Sequence, residues 1–260
     1  MKTLALLCAA IIVVGCSKPA PDMKGAYKML SQNLKGDTLN VTNNNPQLKL
    51  YTEEYMMYAN YNPVDSARAF GICAYIVSDH EVIESAIYSA ADNTVSDSTQ
   101  NYSLSIEQTS KGYKQVINGI AGSTGEKFLL TEEYETISSD KTSPLDGAWV
   151  MTSASFVNQK GETVPVNAIT YKTYYAGSFM FGNTMRDSLN VSHANIGFGT
   201  FEMNGDNALT EVIQTSSYTN LNGKTFPITL KWNGPDEFTQ TIVGEDGSYS
   251  ETETYKRLGK

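Results

Sequence analysis

Histidine occurs twice, tryptophan twice and cysteine three times in 260 residues, and each scarcity removes a class of chemistry. His80 and His193 stand at unrelated positions, one after Ser78-Asp79 and one in "NVSHANIG". Neither is spaced to hold zinc from a single element, and both read as exposed loop histidines. Cys8 and Cys16 fall within the first sixteen residues, so Cys73 is the only thiol of the body and no intramolecular disulfide is available there. Its surroundings, "FGICAYIV", make it a small buried hydrophobe rather than a reactive thiol. Basic residues are also in deficit, 19 Lys and Arg against 28 Asp and Glu, a formal charge of −9. That balance opposes nucleic acid and an electrostatic grip on anionic lipid.

Catalytic signatures are missing as well. "NGKTF" at 222–226 has Tyr218 where a phosphate loop would carry its first glycine, so it reads as a β-turn. "GIAGSTGE" at 119–126 lacks a following helical pattern and reads as a hairpin loop. The acidic stretches Glu53-Glu54, Glu132-Glu133 and Glu251-Thr252-Glu253 lie in alternating sequence, where a solvated strand face is the ordinary expectation. No Gly-x-Ser-x-Gly element and no calcium loop occurs. These observations assign no catalytic residue, no metal ligand and no cofactor.

What is present begins with Lys2 and an apolar run from Leu4 to Val14, the length of a signal-peptide core and too short to span a bilayer. No other run is apolar enough to span. The run ends in Val13-Val14-Gly15-Cys16, which resembles the lipobox of bacterial lipoproteins. The resemblance implies a leader over 1–15, acylation of Cys16, and a tether over 16–23 rich in Ser, Pro and Ala. Acyl chains on Cys16 would hold the body at a membrane, each buried methylene contributing about 0.8 kcal/mol. Ser17 to Asp22 carries a single acidic residue and does not resemble an acidic surface-export signal. The expected address is therefore the periplasmic face of the outer membrane.

The body is duplicated. Lys49-Leu-Tyr51-Thr-Glu-Glu-Tyr-Met-Met57-Tyr58 returns as Lys172-Thr-Tyr174-Tyr-Ala-Gly-Ser-Phe-Met180-Phe181, Gly25-Ala26-Tyr27 as Gly147-Ala148-Trp149, Tyr102-Ser-Leu104-Ser-Ile106 as Phe226-Pro-Ile228-Thr-Leu230, and Tyr134 as Tyr255. A small drift in spacing with order preserved is what loop insertions after a duplication leave. The copies run over 24–138 and 146–258, joined by a polar, proline-bearing linker at 139–145. Within each, the hydrophobic period is two, as in Phe226-Ile228-Leu230-Trp232, and turn residues punctuate runs of short strands. "NPVDSARAFGICAY" is the best candidate for a short turn of helix. The fold class expected is all-β, with enough strands per copy to close a small antiparallel barrel.

Gly147-Ala148-Trp149 at the start of the second copy, with Tyr255-Lys256-Arg257 at its end, resembles the Gly-x-Trp opening and late Arg of lipocalins. With "KTYYAGSFMFG" and "LNGKTF" it is also similar to lipocalin-like domains in lipoproteins of the Bacteroidota. The resemblance implies that Arg257 packs across Trp149 to close the barrel base. The first copy departs from it, with Tyr27 for the Trp and Glu135-Thr136 for Lys256-Arg257, so its base is expected to close differently. A closed barrel of this strand number is expected either to bind one small hydrophobic ligand against Phe179, Phe181, Phe201, Met203, Phe226 and Ile228 or to be filled by those same side chains, since aromatic residues and Met fill volume as readily as they line it. The other reading is a non-catalytic interaction or structural module that presents its loops to an envelope protein partner.

Overall fold

Strands with one apolar face must bury it, and two closed sheets do so in this chain. A computed structural model describes residues 20–78, 81–96, 99–121, 126–244 and 250–259. The leader, Cys16 and His80 lie outside the described residues. The first half comprises β1 (Gly25–Lys35), β2 (Asn40–Asn43), β3 (Gln47–Tyr51), β4 (Tyr55–Tyr61), β5 (Arg68–Val77), β6 (Glu81–Ala91), β7 (Thr94–Ser96), β8 (Asn101–Gln108), β9 (Gly112–Ala121) and β10 (Lys127–Thr136). The second comprises β11 (Gly147–Val157), β12 (Thr163–Pro165), β13 (Ala168–Tyr175), β14 (Ser178–Arg186), β15 (Ser192–Met203), β16 (Ala208–Ser216), β17 (Thr225–Trp232), β18 (Glu237–Val243) and β19 (Ser250–Arg257), with one 3-10 turn, η1 (Thr219–Leu221), between β16 and β17. Among the described residues there is no α-helix. The stretch expected to hold a helical turn instead makes a turn at 63–65 and enters β5. His193, expected in a loop, stands near the start of β15, with its Nε2 2.9 Å from Asp187 Oδ2.

Each half is a closed antiparallel barrel of eight strands. In barrel 1 the order is β10-β9-β8-β6-β5-β4-β3-β1, and β10 returns to β1; β2 and β7 pair at the margins of β1 and β6. In barrel 2 the order is β11-β13-β14-β15-β16-β17-β18-β19, and β19 returns to β11, with β12 as the appendage. Among the described residues, closure leaves no long sheet edge unpaired. The duplication reaches into the irregularities: the register slips between Met29 and Ser31 in β1 and between Met151 and Ser153 in β11, at equivalent places. Bulges of this kind let a strand bend around a barrel.

Three apolar clusters organise the molecule. One fills the base of barrel 1, around Tyr27, Tyr51, Leu104, Tyr113 and Tyr134. A second fills the base of barrel 2, around Trp149, Tyr174, Phe179, Phe201, Leu230, Phe238 and Tyr255. The third lies between the barrels and takes repeat-equivalent residues from both: Ala26 and Ala148, Met57 and Met180, Ile72 and Ile196. It explains why β3 is buried along its whole length instead of alternating. The same patch meeting itself is the geometry of a two-fold dimer, here within one chain. Phe70 crosses the contact and lies against Gly182, where a Cβ would overlap its ring. Each fully buried Met, Ile or Phe contributes about 1.5–3 kcal/mol relative to exposure.

Candidate functional site

Barrel 2 is built in three levels. At the base, Trp149 is fully buried, donates its Nε1–H to Leu145 O at 2.8 Å and meets Phe238 edge to face at 4.7 Å. Trp149 pairs with Arg257 across β11 and β19, and the Arg257 guanidinium carbon lies 4.2 Å from the indole centroid. That cation also donates from Nη1 to Asp146 O at 2.8 Å and from Nη2 to Pro144 O at 3.0 Å, fixing the end of the linker. Gly147, at φ 138°, leaves room for it.

Above the base lies a polar layer. Lys172 Nζ is 2.6 Å from Glu211 Oε1, and both side chains are buried. Tyr174 donates its hydroxyl to the same Glu211 oxygen at 2.5 Å. Gln240 Oε1 lies 3.4 Å from Lys172 Nζ, and Gln240 Nε2 donates to Glu253, which also accepts from Tyr255 at 3.2 Å. Burial holds the Glu253 carboxyl above the ordinary range, and burial together with the neighbouring Glu253 charge pushes Glu251 up to about 7. Burial likewise holds the Tyr174 and Tyr255 hydroxyls well above their usual value, so both act as neutral donors.

Above the layer is a cavity of about 410 Å³, within the range of small-ligand sites. Met151, Phe181, Ile213, Phe226 and Ile242 wall it, Lys172, Glu211, Gln240, Glu251 and Glu253 floor it, and Leu221 of η1 stands at its edge. The positions alternate along each strand, so this is the barrel interior and not a surface groove.

Of the six wall residues expected from the sequence, Phe181 and Phe226 line the cavity. Phe179, Phe201 and Ile228 are buried in the filled base, and Met203 packs against that cluster. The expectation that Glu132 and Glu253 lie on a solvated face is wrong: Glu132 is 4% exposed, and both carboxylates point into barrels. Sequence reasoning missed the whole polar layer, although Tyr134 and Tyr255, in phase with the two glutamates, carried the signal.

Barrel 1 repeats the layer position for position. Lys49 Nζ is 2.7 Å from Glu84 Oε1, Tyr51 donates to that oxygen at 2.6 Å, and Gln115 Oε1 is 3.1 Å from Lys49 Nζ. Gln115 Nε2 and Tyr134 both donate to Glu132. A cavity of about 340 Å³ lies above it, lined by Tyr58, Asn60, Cys73, Ala86 and Tyr102. Cys73 is buried, and burial pushes its thiol up to about 12, which keeps it unreactive. Its base repeats the ring packing with Tyr27 edge to face on Tyr113 at 4.9 Å, but Thr136 stands opposite Tyr27 where Arg257 stands opposite Trp149.

The fold and these sites define a class: tandem closed eight-stranded antiparallel barrels, each filled at the base and hollow above a buried ion pair. No family model and no curated protein matches the chain. Among solved structures, one similar chain is a protein of unknown function of the DUF3598 family from Nostoc punctiforme, 9% identical, covering 90% of this chain and 96% of that one, with a TM-score of 0.26. Another is transferrin binding protein B from Haemophilus parasuis, solved as a double mutant, 7% identical, covering 92% of this chain and 76% of that one, also with a TM-score of 0.26. Nothing about the activity of this chain follows from likenesses at that level.

Proposed function

We propose that this chain is a lipid-anchored, non-enzymatic binding protein of the cell envelope, held through acylated Cys16 at the periplasmic face of the outer membrane. Its second barrel, used as lipocalin-like domains use theirs, takes one small ligand with a substantial apolar part. The observation that carries the reading is the cavity of about 410 Å³ above the polar layer, with Phe181, Ile213 and Phe226 in its wall. A void of this size with apolar walls gains free energy by filling with apolar groups, about 25 cal/mol per Å² removed from water. The anchor rests on the Val13-Val14-Gly15-Cys16 motif.

The test uses the two-barrel body, residues 20–260, and N-phenyl-1-naphthylamine, an apolar and essentially uncharged fluorophore. Its emission should rise saturably with one site per chain. Ile213→Trp, which fills the cavity from a buried wall position, should abolish the rise without unfolding the barrel. No saturable rise would remove the ligand-binding reading and leave the envelope interaction module in its place.

A further inference from the structure

The two polar layers share a plan but differ in how their carboxylates are satisfied. In barrel 1 the spare carboxylate, Glu132, accepts from Gln32 at 2.6 Å, Gln47 at 3.4 Å, Tyr134 at 2.9 Å and Gln115. Four donors meet one carboxylate, close to its full capacity. In barrel 2 the amides that do this work are missing. Ala154 stands where Gln32 does and Thr170 where Gln47 does, so among the described residues Glu253 keeps only Gln240 and Tyr255 as hydrogen-bond donors.

The deficit is then deepened. Glu251 faces the cavity from the position that Leu130 occupies in barrel 1, and among the described residues its carboxylate accepts no hydrogen bond and pairs with no cation. Around it stand Glu253 on its own strand, Lys172 on β13, Glu211 on β16, Gln240 and Ile242 on β18, Met151 and Phe156 on β11, Phe226 on β17 and Tyr218 before η1. Lys172 is already engaged by Glu211 at 2.6 Å. Three carboxylates thus share one ammonium on the floor of an apolar-walled void.

Resting on the reading of this cavity as a binding site, we propose that its ligand is an amine-bearing amphiphile: the alkyl part fills the mouth half of barrel 2 and the ammonium docks on Glu251 and Glu253. An ammonium brings three N–H donors and a charge, which is what the floor lacks. A carboxylate or phosphate head would meet the Glu251 and Glu253 carboxyls with Lys172 already engaged by Glu211. A bare metal ion is not favoured, since among the described residues no three acidic, His or Cys side chains converge to hold one. A partly buried carboxylate without donors is harder to ionise, and the free site answers by holding Glu251 partly protonated near neutrality; an arriving cation favours the ionised form.

Displacement of N-phenyl-1-naphthylamine by three ten-carbon probes tests this. Decylamine should displace it with at least about tenfold higher affinity than decanol, the usual scale of a hydrogen bond to a charged group, and decanoate should be weakest. Decylamine should lose affinity between about pH 8 and about pH 5.5 as Glu251 takes up its proton, while decanol should not. Glu251→Gln should erase about tenfold of the amine's advantage over the alcohol. If decanol or decanoate displaces the fluorophore as well as decylamine does, or if Glu251→Gln leaves the amine-to-alcohol ratio unchanged, the amine inference is overturned while the cavity reading stands. If the fluorophore itself does not bind, both are overturned.

Discussion

The two barrels diverge in their interiors far more than in their frames. Strand order, the β1 and β11 bulges, the stacked Tyr113–Tyr134 and Phe238–Tyr255 rings and the buried Lys–Glu pair all recur. Above that pair, Phe181, Phe226 and Ile213 of barrel 2 face Tyr58, Tyr102 and Ala86 at the equivalent places in barrel 1. Barrel 1 thus places tyrosines and an alanine where barrel 2 places phenylalanines and an isoleucine, and its floor carboxylate is met by four donors where that of barrel 2 is met by two. The duplication has thus left one copy that closes its hydrogen bonds internally and another that leaves carboxylate acceptors open. The face between the barrels, with Phe70 against Gly182, joins the two.

The largest effect should come from removing the cation of the ion pair. Lys172→Met leaves Glu211 buried beside Glu251 and Glu253 with no opposing charge, and breaking a buried pair from one side costs about 3–5 kcal/mol. Lys49→Met exposes Glu84 to one further carboxylate, the amide-bound Glu132, and should cost less. Both tryptophans lie in barrel 2, so the urea midpoint read by tryptophan emission reports that copy, while circular dichroism reports both. The double change Lys172→Met with Glu211→Leu should recover most of the loss. Equal losses in the two barrels would break the comparison.

That pair also marks the limit of what the sequence discloses. Period-two alternation and dense turns suffice for an all-β chain, and the Trp149–Arg257 contact follows from the motif that suggested it. Lys-x-Tyr was visible in both copies, at 49–51 and 172–174, but served only to align them. Its partner was hidden because Glu84 and Glu211 are spaced four residues further apart than the lysines, through loop-length change between β4 and β6. Alternation tells inside from outside but not height along the barrel axis. Hence Phe179 and Phe181 look equivalent in sequence, and one fills the base while the other walls the cavity. Acidic residues in a strand default to the solvent side, and only a fully assembled barrel interior offers Glu132 and Glu253 the donors that overrule this.

A smaller effect should follow pH. Glu251 has its folded value raised from 4.5 to about 7, so its neutral form contributes stability that is fully present below about pH 4.5 and lost as pH rises through about 7. Across that window barrel 2 should lose about 1–3 kcal/mol relative to Glu251→Gln, which has no carboxyl there to titrate. Comparing the two proteins at each pH cancels the other titrating groups. Leu130→Glu should install the same slope in barrel 1. A wild-type profile parallel to that of Glu251→Gln would show that the carboxylate is already satisfied, and the contrast between the floors would vanish.

The smallest effect concerns the bases, and it decides whether Arg257 closes a barrel or ties down a linker. Its guanidinium covers Trp149 at 4.2 Å, a contact contributing about 0.5–2 kcal/mol, yet it also donates to Asp146 O and Pro144 O and, from Nε, to Asp236 Oδ1 at 3.1 Å. Barrel 1 closes over Tyr27 with Thr136 in the equivalent place, so a cation is not required for closure as such. Arg257→Leu keeps an apolar cover on the indole and removes the donors. It should therefore lower the tryptophan-detected urea midpoint only slightly, by a free energy at the bottom of that range, while proteolytic cleavage of the 138–146 segment becomes several-fold faster as Pro144 and Asp146 lose their partner. Barrel 1 should be unchanged by circular dichroism. A large loss of barrel 2 stability with no change in cleavage would reverse the assignment, making the cation part of the barrel base and leaving Tyr27 and Thr136 as the weaker closure of the two.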